Sequence, residues 1–365
     1  MRKTKKIKYL ITPFALFSCI SLLHADVKYA NKPNANTSEA KAPNSFFNPP
    51  GRQEVKNGLD LFITADYLIW QALEQNVTAW EKGGFITLVG TNADRGTFHS
   101  PRFDWKSGAR IGVGYNIGHD QWDTSLTWTW FEDDASNHGV SSAKGTIEGV
   151  ISSPLFSVTS HKASSHLGLA LNVLDLELGK EFYTSNWFTL RPFAGIRNAW
   201  VNQHWRTKFD DVISTNSIGQ IEEFKVRLKQ KFWGIGPRAG LNAEFGLIRE
   251  LSIFSNTSLS LLYGFFKNTR TENSVTLQNV KTRNEASKKS AHSEQAIADL
   301  QLGLRWDHLI NRERYHIRLQ AGWEHHIFFD HNHFYNFSSG GSKAIDNLGG
   351  NLGFQGWFLS GRFDF

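Results

Sequence analysis

Six arginines and six carboxylates recur at alternate positions of otherwise apolar segments, and they are the residues best suited to do chemistry. They are Arg110, Asp123, Asp175, Glu177, Arg191, Arg197, Arg238, Glu244, Asp299, Arg305, Arg318 and Glu324. Charges of both signs along one face can neutralise each other as ion pairs that brace a closed interior, or they can line a narrow path for ions. The sequence leaves both interpretations open.

A histidine-rich stretch is the second group of chemically active residues, with His325, His326, His331 and His333 close together in the chain. If the chain is extended there, His331 and His333 share one face, and imidazoles can bind zinc. Ordinary polar loop residues account for the same pattern, so we predict no metal ligand. No Gly-x-Ser-x-Gly, P-loop or His-Glu-x-x-His motif occurs, and we predict no catalytic residue and no cofactor.

The elements that must position these charges are predicted β-strands, because apolar and polar residues alternate with a period of two. Ten such segments follow one another, at 59–69, 105–117, 122–130, 167–178, 188–197, 233–245, 251–265, 298–306, 317–327 and 351–365. In the fourth segment the leucines change from odd positions (167 to 171) to even positions (174 to 178), which predicts a β-bulge near Val173. A bulky apolar face opposite a polar, glycine-rich face is what a membrane-spanning β-barrel requires, and we predict that the twelve charged residues face its lumen.

The connections between these segments fall into two length classes that alternate along the chain. Four are short, at 118–121, 184–186, 248–250 and 309–312, and five are long, at 81–100, 133–165, 209–224, 268–293 and 332–349. We therefore predict an all-β fold, a transmembrane up-and-down antiparallel β-barrel of about ten strands with short periplasmic turns and long external loops. A count of roughly 12 to 16 stays open, because 146–159 and 224–231 could hold further strands.

Both ends of the chain carry targeting features. Residues 1–25 have a basic start and an apolar stretch, which predicts a signal peptide cut after Ala25; a lipoprotein box ending at Cys19 is the alternative. Residues 26–58 lack periodicity and are rich in Asn, Lys, Pro and Ser, which predicts a flexible periplasmic segment, or else a plug of the lumen. The barrel is predicted at 59–365. Its terminal aromatics, Phe363 and Phe365, resemble the signal that hands such proteins to the barrel assembly machinery.

The mature chain is nearly neutral, because the signal peptide removes five of the 40 Lys and Arg residues and leaves 35 against 34 Asp and Glu. The pI of about 9.2 is therefore no argument for a nucleic-acid partner. Cys19, the single cysteine, also lies in the signal peptide. The mature chain consequently has no disulfide and no cysteine-ligated metal site.

Six motifs recur in a characteristic order from residue 66 onward. They are DYLIW at 66–70, GARIGVGY at 108–115, WD at 122–123 with WTWF at 128–131, LDLELG at 174–179, LRPFAGIR at 190–197 and GIGPRAGL at 234–241. This set resembles the major outer-membrane protein family of Legionella and of environmental Chlamydia relatives. The resemblance implies a pore-forming, porin-like protein that lets ions and small polar solutes diffuse across the outer membrane. The disulfide cross-linking of the chlamydial protein does not carry over to a chain without mature cysteines.

Two further functions stay open on the sequence alone. A surface adhesin or a structural outer-membrane protein could act through the long loops, and a barrel enzyme is a less favoured alternative. The expected partners are outer-membrane lipid and lipopolysaccharide, the barrel assembly machinery, and ions and small solutes, without nucleic acid; a homo-oligomer is also compatible. The loop at 268–293 is a candidate contact for lipopolysaccharide phosphates because of its basic residues Arg270, Lys281, Arg283, Lys288 and Lys289.

Overall fold

Ten antiparallel strands form a closed ring in the computed structural model of this chain, which describes Val55 and residues 58–82, 96–117, 121–140, 147–151, 158–185, 187–213, 215–216, 219–248, 250–337 and 345–365. The ring strands are β1 (Leu61–Glu74), β2 (Trp105–Asn116), β3 (Trp122–Val140), β4 (Thr159–Lys180), β5 (Phe188–Val212), β6 (Gly219–Ile248), β7 (Leu251–Thr276), β8 (Lys281–Ile310), β9 (Tyr315–Phe328) and β10 (Leu352–Asp364). Each pairs with the next one along the chain, and β10 pairs with β1. The predicted ten-stranded up-and-down barrel is therefore confirmed.

The predicted long connections are largely continuations of the ring strands. Pairing extends to Val140 opposite Lys162 in β3 and β4, to Asp210 opposite Glu223 in β5 and β6, and to Val275 opposite Lys281 in β7 and β8. Residues 224–231 belong to β6 and form no additional strand. At the opposite end, two residues separate β6 from β7 and four separate β8 from β9. Shorter strands outside the ring are Trp80–Lys82, Thr97–His99, Ile147–Gly149, Phe182–Ser185, Thr215–Asn216, Tyr335–Phe337 and Ile345–Asn347.

The ring closes where the C-terminal strand meets the first strand, and β10 pairs with β1 along its length. The last residue extends this pairing. The backbone N–H of Phe365 donates to the carbonyl of Leu61 (2.9 Å), and the Phe365 carbonyl accepts from the N–H of Leu59 (3.0 Å). Phe365 is therefore part of the seam that joins the two ends of the barrel.

We expect deletion of Phe365 to lower the amount of folded protein in the outer membrane several-fold, because this residue both ends the chain on an aromatic ring and closes the seam. Electrophoresis without heating separates the folded from the unfolded chain. Phe365→Ser is the matched variant, since it removes the ring and keeps the backbone hydrogen bonds. A loss with both variants assigns the effect to the ring, and a loss with the deletion alone assigns it to the seam. A normal yield of the shortened chain would contradict both roles.

The outer face of the ring is apolar and exposed in the half nearest the short turns. Its side chains include Ile63, Tyr67, Ile111, Val113, Leu126, Trp128, Leu176, Ile196, Ile235, Leu241, Ile253, Leu261, Leu302, Leu319 and Leu359. A continuous apolar surface of this extent is unfavourable in water and is required where strands meet lipid. This belt marks the part of the barrel that spans the membrane.

The longer strands exchange the polarity of their two faces where they leave the membrane. In β6 the odd positions from 233 to 245 are apolar and point outward, whereas positions 225, 227, 229 and 231 are Lys or Arg. The inward positions change in the opposite sense, from Arg238 and Asn242 to the buried Leu228 and Phe232. Outside the bilayer the outward face meets water, so the inward face packs as a hydrophobic core.

The predicted β-bulge near Val173 is wrong, and this exchange of polarity is the reason. β4 pairs with β3 and with β5 through this region without a shift in register. Leu167 and Leu171 point inward and are buried, whereas Leu176 and Leu178 point outward and are exposed. The leucines change face because the apolar environment moves from the lipid to the interior as the strand leaves the membrane.

The predicted signal peptide at residues 1–25 lies outside the described residues, and so does nearly all of the predicted periplasmic segment at 26–58. Both boundaries stay predictions. The described barrel begins with β1 at Leu61, two residues after the predicted start. No helix in the described part of the chain is long and apolar enough to cross a membrane.

Candidate functional site

The twelve charged residues predicted for the inner face all lie inside the ring. Eleven of them line a cavity of about 240 Å³: Arg110, Asp123, Asp175, Glu177, Arg191, Arg197, Arg238, Glu244, Asp299, Arg305 and Arg318. The twelfth, Glu324, is fully buried beside Arg110. Because side chains of a strand alternate between its faces, the register that exposes the apolar side chains to lipid brings these charges together in the lumen.

Arg197 of β5 is the centre of the largest ion-pair cluster. It makes a bidentate pair with Asp175 of β4 (Nε to Oδ1 2.7 Å, Nη2 to Oδ2 2.9 Å), and its Nη1 donates to Asp299 of β8 at 2.7 Å. Arg238 of β6 donates to Asp175 at 3.1 Å and also contacts Glu177. Charge-assisted bidentate pairs of this kind compensate the cost of burying the charges. The cluster ties four strands together across the lumen.

A second cluster on the opposite wall contacts the first through His326. Arg110 of β2 donates to Asp66 of β1 at 2.9 Å and to Glu324 of β9 at 3.0 Å. The His326 imidazole lies between Asp299 (Nδ1 to Oδ1 2.8 Å) and Glu324 (Nε2 to Oε2 3.4 Å). A continuous chain of charged and polar contacts therefore crosses the lumen from wall to wall.

The remaining predicted charges pair nearer the short turns. Arg191 donates to Asp123 (Nε to Oδ2 2.8 Å), and its Nη1 lies 3.8 Å from Glu177. Arg305 forms an ion pair with Glu244. Arg318 pairs with Asp307, so each of the twelve residues has a partner of opposite charge in this conformation.

Two further residues of this layer, Asp307 and His316, were not predicted. His316 lies between Asp307 (Nε2 to Oδ1 2.8 Å) and Asp364 (Nδ1 to Oδ2 2.8 Å) and is buried. Arg318 donates to the same oxygen of Asp307 at 2.6 Å. His316 lies two residues before Arg318 and therefore on the same face. The period-two pattern would have included it if the predicted strand had begun before residue 317.

Aromatic side chains fill the lumen on the external side of the charged layers. The ring centroid of Trp70 lies 5.4 Å from that of Phe131 and 5.8 Å from that of Phe354. The centroids of Phe328 and Phe354 are 5.9 Å apart. All four are buried. Trp70 donates its indole N–H to Glu324 at 2.7 Å, which joins this aromatic layer to the charged layer. This layer was not predicted from the sequence, because the inner face of a barrel strand was expected to be polar along its whole length.

The stretch that follows β9 turns into the barrel and completes the aromatic layer. The His331 imidazole lies 5.1 Å from Phe232, 5.4 Å from Phe266 and 5.6 Å from Phe328. His331 and Phe334 are 0 % and 1 % exposed, so this stretch occupies the mouth of the barrel. We call residues 331–334 the plug segment.

Side-chain amides from three wall strands hold the plug segment by its polar groups. Gln230 of β6 donates to the carbonyl of His331 (2.7 Å) and accepts from the backbone N–H of His333 (2.8 Å). Asn268 of β7 donates to the carbonyl of His333 (2.8 Å), and Gln295 of β8 bonds to Nδ1 of His331 (2.8 Å). A buried backbone group without a partner is costly, so these amides stabilise the inward position.

The His331 side chain is neutral in the plug segment, which lies outside the spanning strands. Burial, and then the charge of His333, lower the pKa of His331 to about 3. His326, a second histidine of the stretch at 325–333, contacts Asp299 and Glu324 in the lumen. Across the described ranges, no group of three or more His, Asp or Glu side chains is arranged to hold a metal ion.

The stretch predicted as a basic external loop, 268–293, is largely paired strand, and Arg270 does not belong to its surface. Arg270 is 2 % exposed, pairs with Glu272 (2.8 Å) and donates to the carbonyl of Tyr335 (2.9 Å). Arg283 pairs with Glu285 at 2.9 Å. The external positive charge of this hairpin is therefore smaller than the sequence predicts.

The profile of the family described as the Legionella pneumophila major outer membrane protein precursor matches residues 54–365. No curated protein matches this chain. Among solved structures, the chain is similar to the outer membrane protease OmpT from Escherichia coli, with 10 % identity over 86 % of this chain and 100 % of that chain and a TM-score of 0.39. It is also similar to a major outer membrane protein from Thermus thermophilus, with 13 % identity over 67 % of this chain and 97 % of that chain and a TM-score of 0.28.

Proposed function

The chain belongs to the Legionella pneumophila major outer membrane protein family and is an integral β-barrel of the outer membrane, and we propose that it conducts ions and small polar solutes through its lumen. The conducting state requires the plug segment to leave the mouth of the barrel. Withdrawal removes one of the two barriers between the charged cavity and the external solution; the other is the aromatic layer of the wall strands, which includes Trp70 and Phe354.

The observation that carries this proposal is the unequal construction of the lumen. The membrane half holds a polar cavity of about 240 Å³ lined by charges of both signs, whereas the external half is closed by the aromatic layer and by the plug segment. That segment is attached to the wall through side-chain amides such as Gln230 and Asn268, and its backbone bonds to that of Leu348 and Gly350, which precede β10, and not to that of a ring strand. A segment held in this way can be withdrawn without breaking the wall, and a gated polar path follows from that.

Planar-bilayer recording of the purified mature protein tests the proposal directly. Stepwise single-channel openings support conduction. Silence of a correctly folded barrel, including a barrel from which the plug segment has been deleted, rejects it. Folding is checked in the same preparation by resistance to heat before electrophoresis.

Replacing Arg191 should shift the reversal potential toward cation preference, because its removal leaves Asp123 without a neutralising guanidinium and Glu177 with that of Arg238 alone. Arg191→Glu has the larger expected effect, and Arg191→Gln keeps the test usable if the reversal impairs folding. The measurement is the reversal potential in a salt gradient.

Arg283→Gln is the matched control, because Arg283 is an exposed arginine of an external hairpin that also pairs with a glutamate. It should leave the reversal potential unchanged. An unchanged potential in both Arg191 variants, with normal folding and conductance, would mean that Arg191 only braces the wall.

A second candidate function is a structural or surface protein, and the packed aromatic layer favours it. Trp70, Phe131 and Phe354 belong to wall strands and remain in the lumen whatever the plug segment does. A barrel of this kind would hold its extended external hairpins at the cell surface without conducting. Silence in the bilayer experiment, together with normal folding, selects this function over conduction.

We infer no catalytic step and no cofactor for this barrel. The lumen carboxylates Asp175, Asp299 and Glu324 are each held by an arginine, and such pairing disfavours their use as a general base. The proposed partners are the barrel assembly machinery through Phe363 and Phe365, the transported ions and solutes, and lipopolysaccharide. Self-association of barrels is compatible with this function and is not required by it.

A further inference from the structure

Five cations lie side by side on the outer wall of the barrel, on neighbouring strands. Arg206 of β5 lies opposite Arg227 of β6, and Lys231 of β6 lies opposite Lys267 of β7. Lys229 is located between them on β6, and all five side chains are exposed. We call these five residues the basic band. Their outward orientation follows from the strand alternation, because the intervening positions of β6 are buried.

No described carboxylate forms an ion pair with the basic band, whereas the next cations along the same strands are neutralised. Lys208 pairs with Asp210 at 2.7 Å and with Glu223 at 3.2 Å, and Lys225 pairs with Glu223 at 2.6 Å. Five adjacent cations without counter-charge repel one another, which is unfavourable unless an external anion is bound. The neighbouring pairs show that the strands carry acids where neutrality is needed.

The basic band begins directly beyond an aromatic row on the same strands. Trp233 of β6 lies opposite Trp200 of β5 and Phe265 of β7, and the Trp233 and Phe265 rings stack at 5.1 Å. Lys231 precedes Trp233 by two residues on β6 and therefore lies about 7 Å nearer the external end of the strand. Aromatic rows of this kind mark the membrane interface, so the cations lie at the depth of lipid head groups.

The cations also surround a groove of about 360 Å³ over β5 and β6, lined in part by His204, Arg206, Arg227, Lys229 and Lys231. The His204 ring lies over Gly168 of β4, where a Cβ atom would come within 2.1 Å of the imidazole. Lys229 lies directly opposite His204 in the strand register, and Arg206 is two residues from His204 on β5. The groove is therefore a region of positive potential.

We propose that the basic band and this groove bind the phosphate groups of lipopolysaccharide in the outer leaflet, with its acyl chains against the aromatic row. Lipopolysaccharide carries phosphates at head-group depth and several acyl chains below them, which matches cations placed directly beyond an apolar, aromatic surface. Arginine can bind a phosphate through two parallel hydrogen bonds, and lysine supplies a point charge. The predicted lipopolysaccharide contact on the hairpin at 268–293 is thereby reassigned to β5, β6 and β7.

The test uses the refolded mature protein in neutral detergent and measures binding of fluorescent lipopolysaccharide at low salt. The band variant replaces Arg206, Arg227, Lys229 and Lys231 with glutamine. We expect it to bind at least about tenfold more weakly, since several charge-assisted contacts are lost. The control variant replaces Lys208 and Lys225 with glutamine on the same strands, and it should bind like the unmodified protein because those lysines are already paired.

Three probes distinguish the source of the bound phosphate. Binding of lipopolysaccharide that weakens with salt and on enzymatic removal of its phosphates supports the proposal. Equal binding of dephosphorylated lipopolysaccharide, of phosphatidylglycerol vesicles or of inorganic phosphate alone would overturn it, in favour of a purely apolar contact, any anionic lipid or a free anion. If the fourfold variant fails to fold, Arg227→Gln with Lys229→Gln is compared with the control pair instead. The result is independent of conductance, so it can fail while the proposed function holds.

Discussion

Arg197→Met is expected to destabilise the folded barrel by about 3 to 5 kcal/mol, the usual cost of removing one partner from a buried ion pair. Arg197 satisfies Asp175 through two hydrogen bonds and Asp299 through one, and its side chain is 6 % exposed. Its loss leaves two buried carboxylates that share only the remaining cations of the cluster. Methionine fills a similar volume, so the effect isolates the charge. The measurement is the urea midpoint of unfolding in lipid vesicles, followed by tryptophan fluorescence.

Arg283→Met is the matched control for this measurement. Arg283 also pairs with a glutamate, but its side chain is 67 % exposed in the external β7–β8 hairpin. Exposed ion pairs contribute about 0 to 1 kcal/mol, so the control should shift the midpoint little. Equal midpoints for the two variants would show that the cluster around Arg197 contributes no more than a surface pair, and the account of a braced lumen would then be wrong.

The ten ring strands could be predicted from the sequence because lipid imposes a simple rule on them. Every outward position within the bilayer must be apolar, so the period of two is regular from Trp233 to Phe245 in β6 and from Trp357 to Phe363 in β10. The same rule fails where strands leave the membrane. There the apolar environment is inside the barrel, and the pattern keeps its period but inverts its polarity. The predicted bulge near Val173 is wrong for this reason, because the leucines change face there without a shift in register.

Parity predicted which charges face the lumen, but it contains no information about their partners. Asp175 lies next to Arg197 in the strand register, whereas Asp299 reaches the same guanidinium from β8 across the barrel. Such contacts depend on the barrel diameter and on side-chain reach, neither of which a single strand reveals. Glu324 of β9 illustrates the same point, since Arg110 reaches it from β2, which is not a neighbouring strand, whereas His326 lies directly opposite Asp299 in the register.

The plug segment could not be predicted because its sequence looks like an ordinary polar loop. Residues 331–334 are His, Asn, His and Phe, and only the last is apolar. Their polar groups can be buried because side-chain amides from distant positions in the sequence, Gln230 and Gln295, form hydrogen bonds with them. In the sequence these glutamines are polar residues at inward positions of strands, which is normal for a barrel. Their role depends on a third segment that enters the lumen.

Gln230→Ala is expected to release the plug segment and to raise the open probability of the barrel at least about 30-fold. Gln230 is 0 % exposed and bonds to two backbone groups, the carbonyl of His331 and the N–H of His333. Alanine removes both hydrogen bonds when the segment is inside, at roughly 1 to 3 kcal/mol each, while water can bond to the two backbone groups when the segment is outside. Withdrawal of the segment also removes the His331 ring, on which Phe232, Phe266 and Phe328 all pack.

Two measurements together decide this prediction, and Gln220→Ala is the control because Gln220 is an exposed glutamine of the same strand. Single-channel recording gives the open probability, and limited chymotrypsin digestion reports whether the Phe334 peptide bond has become accessible. Faster cleavage with more frequent openings supports a plug that gates a conducting lumen. Faster cleavage without openings would support the role of Gln230 in holding the plug segment but would favour the structural function. In that case the Trp70 ring, which belongs to β1, still closes the path. Unchanged cleavage and unchanged conductance in Gln230→Ala would show that the buried amide does not hold the segment in place.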